Sequence, residues 1–334
     1  MARTLVVLSG RLGAVLPAAA LPALRGAEHV LADVSVPAEV AEAAGAAPVP
    51  DPTPGSDGWP ADSCVLLTTD PAHPLLASAD AVLTVPEPPG AALLDAVAVM
   101  DRLRSPGGCP WDAEQTHLSL LQYLVEECYE LYQAVEDADR PALREELGDV
   151  LLQVLFHARV AAEGGVKPYP PEAAPFGIDE VAADLVRKLV DRHPHVFATE
   201  VAPADQVRTA SDQEVRWDEL KRAEKRRESS VDGVALSQPA AALAAKLVSR
   251  AGKAGLPAAL TAKASLGNGP GERLFALVAE VKLAGTDPEQ VLRAAARRFA
   301  ADVRTAEQSA RLAGLDSHQL DADDWNRFWP NGPS

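Results

Sequence analysis

At 334 residues the chain has room for two or three domains and a sizeable core. Its formal net charge of -17 excludes sequence-independent binding to DNA or RNA as a polymer, which needs a basic face, and no apolar run reaches the roughly 18 residues of a membrane-spanning helix. Alanine and leucine are abundant and aromatic residues make up only 4%, a balance that favours helical packing over extensive β structure.

The three cysteines, Cys64, Cys109 and Cys128, show no Cys-x-x-Cys spacing, so a zinc site is not expected and a reducing, cytoplasmic setting is. Residues 1–90 read as a small α/β domain. Short apolar runs at Leu5–Leu8, His29–Ala32, Cys64–Leu67 and Ala81–Val85 suit strands, with proline-rich punctuation from Pro48 to Pro60. The first run, followed by Ser9-Gly10, reads as a buried strand and turn rather than as a secretion leader. Pro86–Gly90 is the expected linker.

From Ala91 to Arg104, Leu93, Leu94, Val97, Met100 and Leu103 follow helical spacing, and Ser105-Pro106-Gly107-Gly108 ends the helix. Cys109-Pro110-Trp111-Asp112 is expected to be a tight loop presenting an indole. Gln115 and His117 stand at the entry to the next helix, where His117 serves equally well as a cap, as packing or as a substrate contact.

Gln122–Arg159 predicts two helices joined by a turn at Ala138–Arg140, with Asp139 as N-cap and Pro141 in the first helical turn. On the first helix Glu126, Glu127 and Glu130 lie three or four residues apart, and on the second Glu146 and Asp149 repeat the three-residue offset. Leu124, Val125, Leu131, Val135, Leu147, Val150, Leu151, Val154 and Leu155 surround them with apolar positions. Carboxylates at such a core edge are costly unless a positive charge neutralises them, and oxygens converging without a nearby Lys or Arg suit a hard divalent cation, Mg²⁺ or Mn²⁺. One Glu-x-x-Glu alone is usually a solvated face; two on consecutive helices weaken that reading. A ferritin-like di-metal site wants Glu-x-x-His, and neither Glu130 nor Glu146 has a histidine three residues on.

Gly164–Pro175 reads as a Gly/Pro-rich loop, and a further helix starts near Asp179. On it Lys188 and Arg192 share a face, either as a solvated basic edge or as a clamp on phosphate oxygens. Trp217 and Lys221 form another four-apart pair on a helix from about Ser211, and Lys221–Arg227 reads as a solvated helix end.

Glu126-Glu127-x-x-Glu130 followed by Glu146-x-x-Asp149 resembles the metal-binding pattern of the all-α nucleoside triphosphate pyrophosphohydrolases. GGCPWDAEQTH (Gly107–His117), ELGDVLLQVLFHAR (Glu146–Arg159), RHPHVFA (Arg192–Ala198) and WDELK (Trp217–Lys221) narrow the likeness to the MazG branch, over about residues 92–228. The resemblance implies a mainly α protein whose catalytic MazG domain, residues 91–228, is a four-helix-bundle module completed by a homodimer or higher homo-oligomer. It implies Mg²⁺, with Mn²⁺ as a possible substitute, on Glu127, Glu130, Glu146 and Asp149, with Glu126 alongside them as a catalytic carboxylate. Trp111, His117, Lys188, Arg192, Trp217 and Lys221 would contact a nucleoside triphosphate that is hydrolysed to monophosphate and pyrophosphate with broad, house-cleaning specificity. A pyrophosphatase narrow for a damaged nucleotide, or a metal-dependent nucleotide sensor without turnover, are the alternatives. Some relatives carry a tetrapyrrole-methylase-like α/β domain, and residues 1–90 resemble a shortened relic of one.

Residues 236–334 read as a degenerate second MazG-like copy. Gly271–Arg304 parallels Gly148 onward, with Glu272 at the place of Asp149. Ala258–Pro270 is too short and too poor in acid to supply the Glu-Glu-x-x-Glu helix. Asp302 stands four residues after Arg298, and Trp329 follows Trp325 where a lysine is expected. One carboxylate cannot hold a metal, so this copy is expected to be catalytically silent.

Overall fold

The computed structural model describes residues 3–13, 15–49, 59, 63–198, 209, 212–213, 216–217, 228–263 and 269–330. They fall into two compact units, Met1–His193 and Pro194–Ser334.

The first unit begins with five parallel strands: β1 (Arg3–Val7), β2 (His29–Ala32), β3 (Ala47–Pro48), β4 (Cys64–Thr68) and β5 (Ala81–Thr84), in the spatial order β3-β2-β4-β1-β5. In β1 and β4 the apolar residues run consecutively, Leu5–Val7 and Cys64–Leu67, because both faces of the sheet are covered. Val6, Leu8, Val65 and Leu67 pack on one side with Val36 and Val40 of the segment leading into and along α2 (Ala38–Ala44); Leu5, Val7, Cys64 and Leu66 pack on the other with Trp59. The helix α1 is Leu21–Gly26. The mainly α architecture with a small N-terminal α/β sheet is as expected. β3 runs into the stretch read as punctuation, which starts at Pro48: at two residues on a sheet edge it is too short for any alternation to reveal it.

Four helices complete the part of this unit that matters most: α3 (Ala92–Arg104), α4 (Pro110–Glu114), α5 (His117–Glu136) and α6 (Arg140–Ala161), followed by α7 (Ile178–Asp191). Thr116 caps α5, accepting from the Ser119 amide while the Ser119 hydroxyl accepts from the Thr116 amide. Asp139 caps α6 by accepting from the Ala142 amide at 3.1 Å. The chain reverses between them through Ala138, a non-glycine residue in the left-handed region at φ 55. Met100, Leu120, Leu155, Phe156 and Val160 form the core of this helical part, with α3 lying against the end of the α5–α6 hairpin that is remote from its turn.

In the second unit the main helices are Ala240–Lys253, Pro270–Leu283, Pro288–Leu312 and Ala322–Phe328, with a six-residue helix at Ala258–Lys263. Its buried positions are mostly alanines, Ala244, Ala245, Ala279, Ala306 and Ala310, joined by Val248. Among the described residues no helix is long and apolar enough to cross a membrane.

Candidate metal centre

α5 and α6 run side by side in opposite directions, so residues of α5 face residues of α6 about as far from the turn. One carboxylate oxygen from each of Glu127, Glu130 and Glu146 lies within 4.8 Å of the other two. The three-residue step from Glu127 to Glu130 puts both on the face that α6 meets. Asp149, one turn beyond Glu146, stands close enough to act on two of them. Partial burial first, and then the charges of Asp149, Glu130, Glu146 and Glu126, push the Glu127 carboxyl above the usual carboxylate range. Partial burial, followed by Glu130, Asp149 and Glu145, does the same to Glu146. Among the described residues no Lys, Arg or His forms an ion pair with any of these four acids.

Such a cluster repels itself. Converging carboxylate oxygens, half-buried at Glu127 and Glu146, where proton affinity is raised, and open to solvent at Glu130, lower their energy by taking up a positive charge. The donors are all hard oxygens, with no thiolate or imidazole in the group, so the donor set fits a hard divalent cation. Glu126 is exposed and lies outside the converging trio, next to it in the chain.

The remaining expected contacts divide. Trp111 sits in the one-turn helix α4, not in a loop: Pro110 fixes its first turn, and the Gln115 side chain donates to the Trp111 carbonyl. The residue is 49% exposed, and its ring meets Tyr123 and Phe156 edge-on, at 5.9 and 6.3 Å between centroids. His117 turns its ring onto His157, with the two Nδ1 atoms 2.8 Å apart and the rings stacked, and Tyr169 abuts it edge-on. Burial holds both histidines below their ordinary range, so the pair is neutral near pH 7. Lys188 is exposed, whereas Arg192, at the C-cap of α7, is only 7% exposed; the two do not present one open basic face. Trp217 is helical and half-buried in the second unit, and Lys221 with the Lys221–Arg227 segment lies outside the described residues.

Sequence reasoning missed the clamp that holds α4 in place. The Arg104 side chain, 5% exposed, donates through Nε and Nη2 to the Glu163 carboxylate at 2.7 and 2.9 Å and through Nη1 to the Asp112 carbonyl at 2.5 Å. Arg159 joins Glu163 to Asp101. Hydrogen bonds from Arg104 hold the Glu163 carboxyl below its ordinary value. The four-residue spacing of Arg159 and Glu163 was the available signal. Gly108 belongs to the same corner, because a Cβ there would come within 2.2 Å of the Leu103 carbonyl oxygen.

A helical hairpin that gathers acids with no counter-charge among the described residues, on a helical module preceded by a parallel sheet, has the form of a carboxylate metal site. Residues 115–197 match the MazG nucleotide pyrophosphohydrolase domain and residues 3–82 the MazG N-terminal domain. A nucleoside triphosphate pyrophosphohydrolase of Mycolicibacterium smegmatis is 43% identical over 306 residues, covering 86% of this chain and 85% of the relative. One from Mycobacterium tuberculosis is 41% identical, covering 80% of this chain and 79% of the relative. The nucleoside triphosphate pyrophosphohydrolase/pyrophosphatase MazG of Thermotoga maritima is 33% identical, covering 70% of this chain and 92% of the relative. The chain belongs to the MazG family, a family of metal-dependent hydrolases.

Proposed function

We propose that this enzyme hydrolyses nucleoside and deoxynucleoside triphosphates, over a broad range of bases, to the monophosphate and pyrophosphate in a Mg²⁺-dependent reaction, Mn²⁺ being a possible substitute. The convergence of Glu127, Glu130 and Glu146 within 4.8 Å, with no cation paired to them among the described residues, carries this reading. These three and Asp149 would hold the metal, which when bound supplies positive charge to phosphate oxygens and acidifies water.

The protein side of the reaction follows from position. Glu126, solvent-facing beside the trio, is free to take the proton of the attacking water. A new bond forms from water oxygen to the α-phosphorus as the bond to the bridging oxygen breaks, and pyrophosphate leaves with that oxygen. Lys188, which is exposed, suits the neutralisation of leaving-group charge; the buried Arg192 suits it less, and Lys221 remains part of the proposal from sequence alone. Trp111, half-open over Tyr123 and Phe156, offers its free face to a base. His117 and Trp217 are assigned to the substrate by the resemblance only.

A homodimer is part of the same proposal. Val125, Tyr129, Tyr132 and Val135 on α5, Leu147 on α6, and Leu185, Val186 and Leu189 on α7 are all exposed, an apolar area that a second copy of the hairpin would cover as a four-helix bundle. A cytoplasmic setting belongs to the same proposal, on the spacing of the three cysteines. Chromatographic identification of the products of dATP or dGTP hydrolysis with Mg²⁺ tests the reaction: monophosphate plus pyrophosphate is expected, and diphosphate plus orthophosphate overturns it.

A further inference from the structure

The second unit carries a cleft of about 530 Å³ lined by Phe299, Val303, Glu307, Trp325, Asn326 and Trp329. Its volume is in the range of small-molecule sites, about 300–1,000 Å³. Three aromatic rings shape it: Trp325 and Trp329 lie 6.4 Å apart and tilted by 58°, and Phe299 lies 5.8 Å from Trp329 at 47°. The rings are inclined to one another instead of being stacked, so each keeps a π face that another ring does not cover. Phe299 is largely exposed, so its ring is accessible from solvent at the mouth of the cleft.

The polar lining narrows the ligand. Among the described residues no lysine or arginine lines the cleft, and Glu307 places a negative charge in it, which opposes a di- or triphosphate. Trp329 also stands where the first region has Lys221 four residues after Trp217, so a π surface replaces a cation at that spacing. A carboxylate accepts two hydrogen bonds at once, which suits a planar ring with adjacent N–H donors on one edge. Among the common bases guanine alone offers that pair, at N1 and the exocyclic amine, and the Asn326 amide can donate to its carbonyl oxygen. We propose that this cleft is a nucleoside site that takes a guanine ring without its phosphates, using residues that the carboxylate centre does not use.

Isothermal titration on the full chain tests this, in EDTA and with Glu127→Gln and Glu146→Gln present so that the metal centre is silent. Guanosine should bind at least tenfold more tightly than adenosine or uridine, and Trp325→Ala should weaken it about tenfold or more, the effect of losing one stacking partner. Glu307→Gln, which keeps the packing of a half-buried side chain, should bring guanosine down to the level of adenosine. No heat from guanosine up to its solubility, equal binding by Trp325→Ala, or tighter binding of tetramethylammonium, the ligand an aromatic cage with a carboxylate would otherwise prefer, overturns the proposal. Pyrophosphate release by the wild-type chain is read separately, so failure here leaves the proposed reaction untouched.

Discussion

The two units each contain a helical hairpin reversed by the same device, and among the described residues only the first gathers acids. In the first unit the Ala138 amide donates to Val135 and the Asp139 amide to Ala134; in the second, Gly285 donates to Lys282 and Thr286 to Val281. Each reversal has a left-handed residue, at φ 55 and φ 87, followed by an aspartate N-cap and a proline in the first turn, Asp139 with Pro141 and Asp287 with Pro288. The acid content differs. The second hairpin has Glu272 in the first turn of its leading helix, and among the described residues no second group of three converging carboxylates exists. Turn chemistry therefore builds the scaffold, and side chains spaced three and four apart decide whether it can hold a metal.

The largest effect should come from removing that difference. Mn²⁺ titrated into the protein and followed by electron paramagnetic resonance should bind to wild type, and Glu127→Gln with Glu146→Gln should weaken binding by about two orders of magnitude or more. Glu272→Gln should leave it unchanged. Equal losses in both hairpins would erase the contrast.

The hairpins are also anchored differently, one by a buried ion pair and the other by an alanine seam. Arg104→Met strips Glu163 of its buried partner and lets α4 drift, and should cost about 3 kcal/mol in urea unfolding, at the low end for a broken buried pair because Glu163 is partly exposed. Ala306→Leu, at a fully buried position, should cost about 1–3 kcal/mol by overpacking.

Acidity separates the two kinds of carboxylate within the first unit. Glu127 and Glu146 have raised values, so the folded, metal-free protein holds their protons more strongly than the unfolded chain does. Their partial burial and then their mutual repulsion cost stability near pH 7, a cost relieved as pH falls through the raised values toward about 4.5. Glu163 has a lowered value, so its contribution is present above the ordinary carboxylate range and is lost as pH falls through the lowered one. In EDTA, the stabilisation that Glu127→Gln confers over wild type should therefore shrink as pH drops, whereas the deficit of Arg104→Met should shrink only at lower pH. Thermal melts across pH check both.

The smallest change sharpens the turn comparison. Ala138→Gly gives the first hairpin the residue that the second already has at Gly285, relieving the left-handed strain, and should stabilise by about 0.5 kcal/mol after the added freedom of the unfolded chain is counted.

Much of this was legible in the residues because short-range rules generate it. Asp139 and Pro141 announce a reversal, the apolar periods give the helices, and Glu127, Glu130 and Glu146 follow from helical spacing across that reversal. What spacing could not give depends on contacts between distant segments. Arg104 meets Glu163 across 59 residues, with only the four-residue step from Arg159 to Glu163 as a local sign, and His117 meets His157 across 40 with nothing local to announce it. The expected pairing of Lys188 with Arg192 on one basic face shows the converse limit: a four-residue step puts two side chains on the same side of a helix, yet tertiary packing buries Arg192 and leaves Lys188 in solvent. The strand β3 failed for a third reason, being too short to carry a pattern.

The role of the acidic hairpin is tested most directly by pyrophosphate release from a deoxynucleoside triphosphate as Mg²⁺ is titrated, comparing wild type with Glu127→Gln, Glu146→Gln protein shown by circular dichroism to be folded. The metal-centre reading predicts release that saturates with Mg²⁺ in wild type and falls at least about a hundredfold in the variant. A folded variant that keeps both the rate and the Mg²⁺ dependence would contradict it.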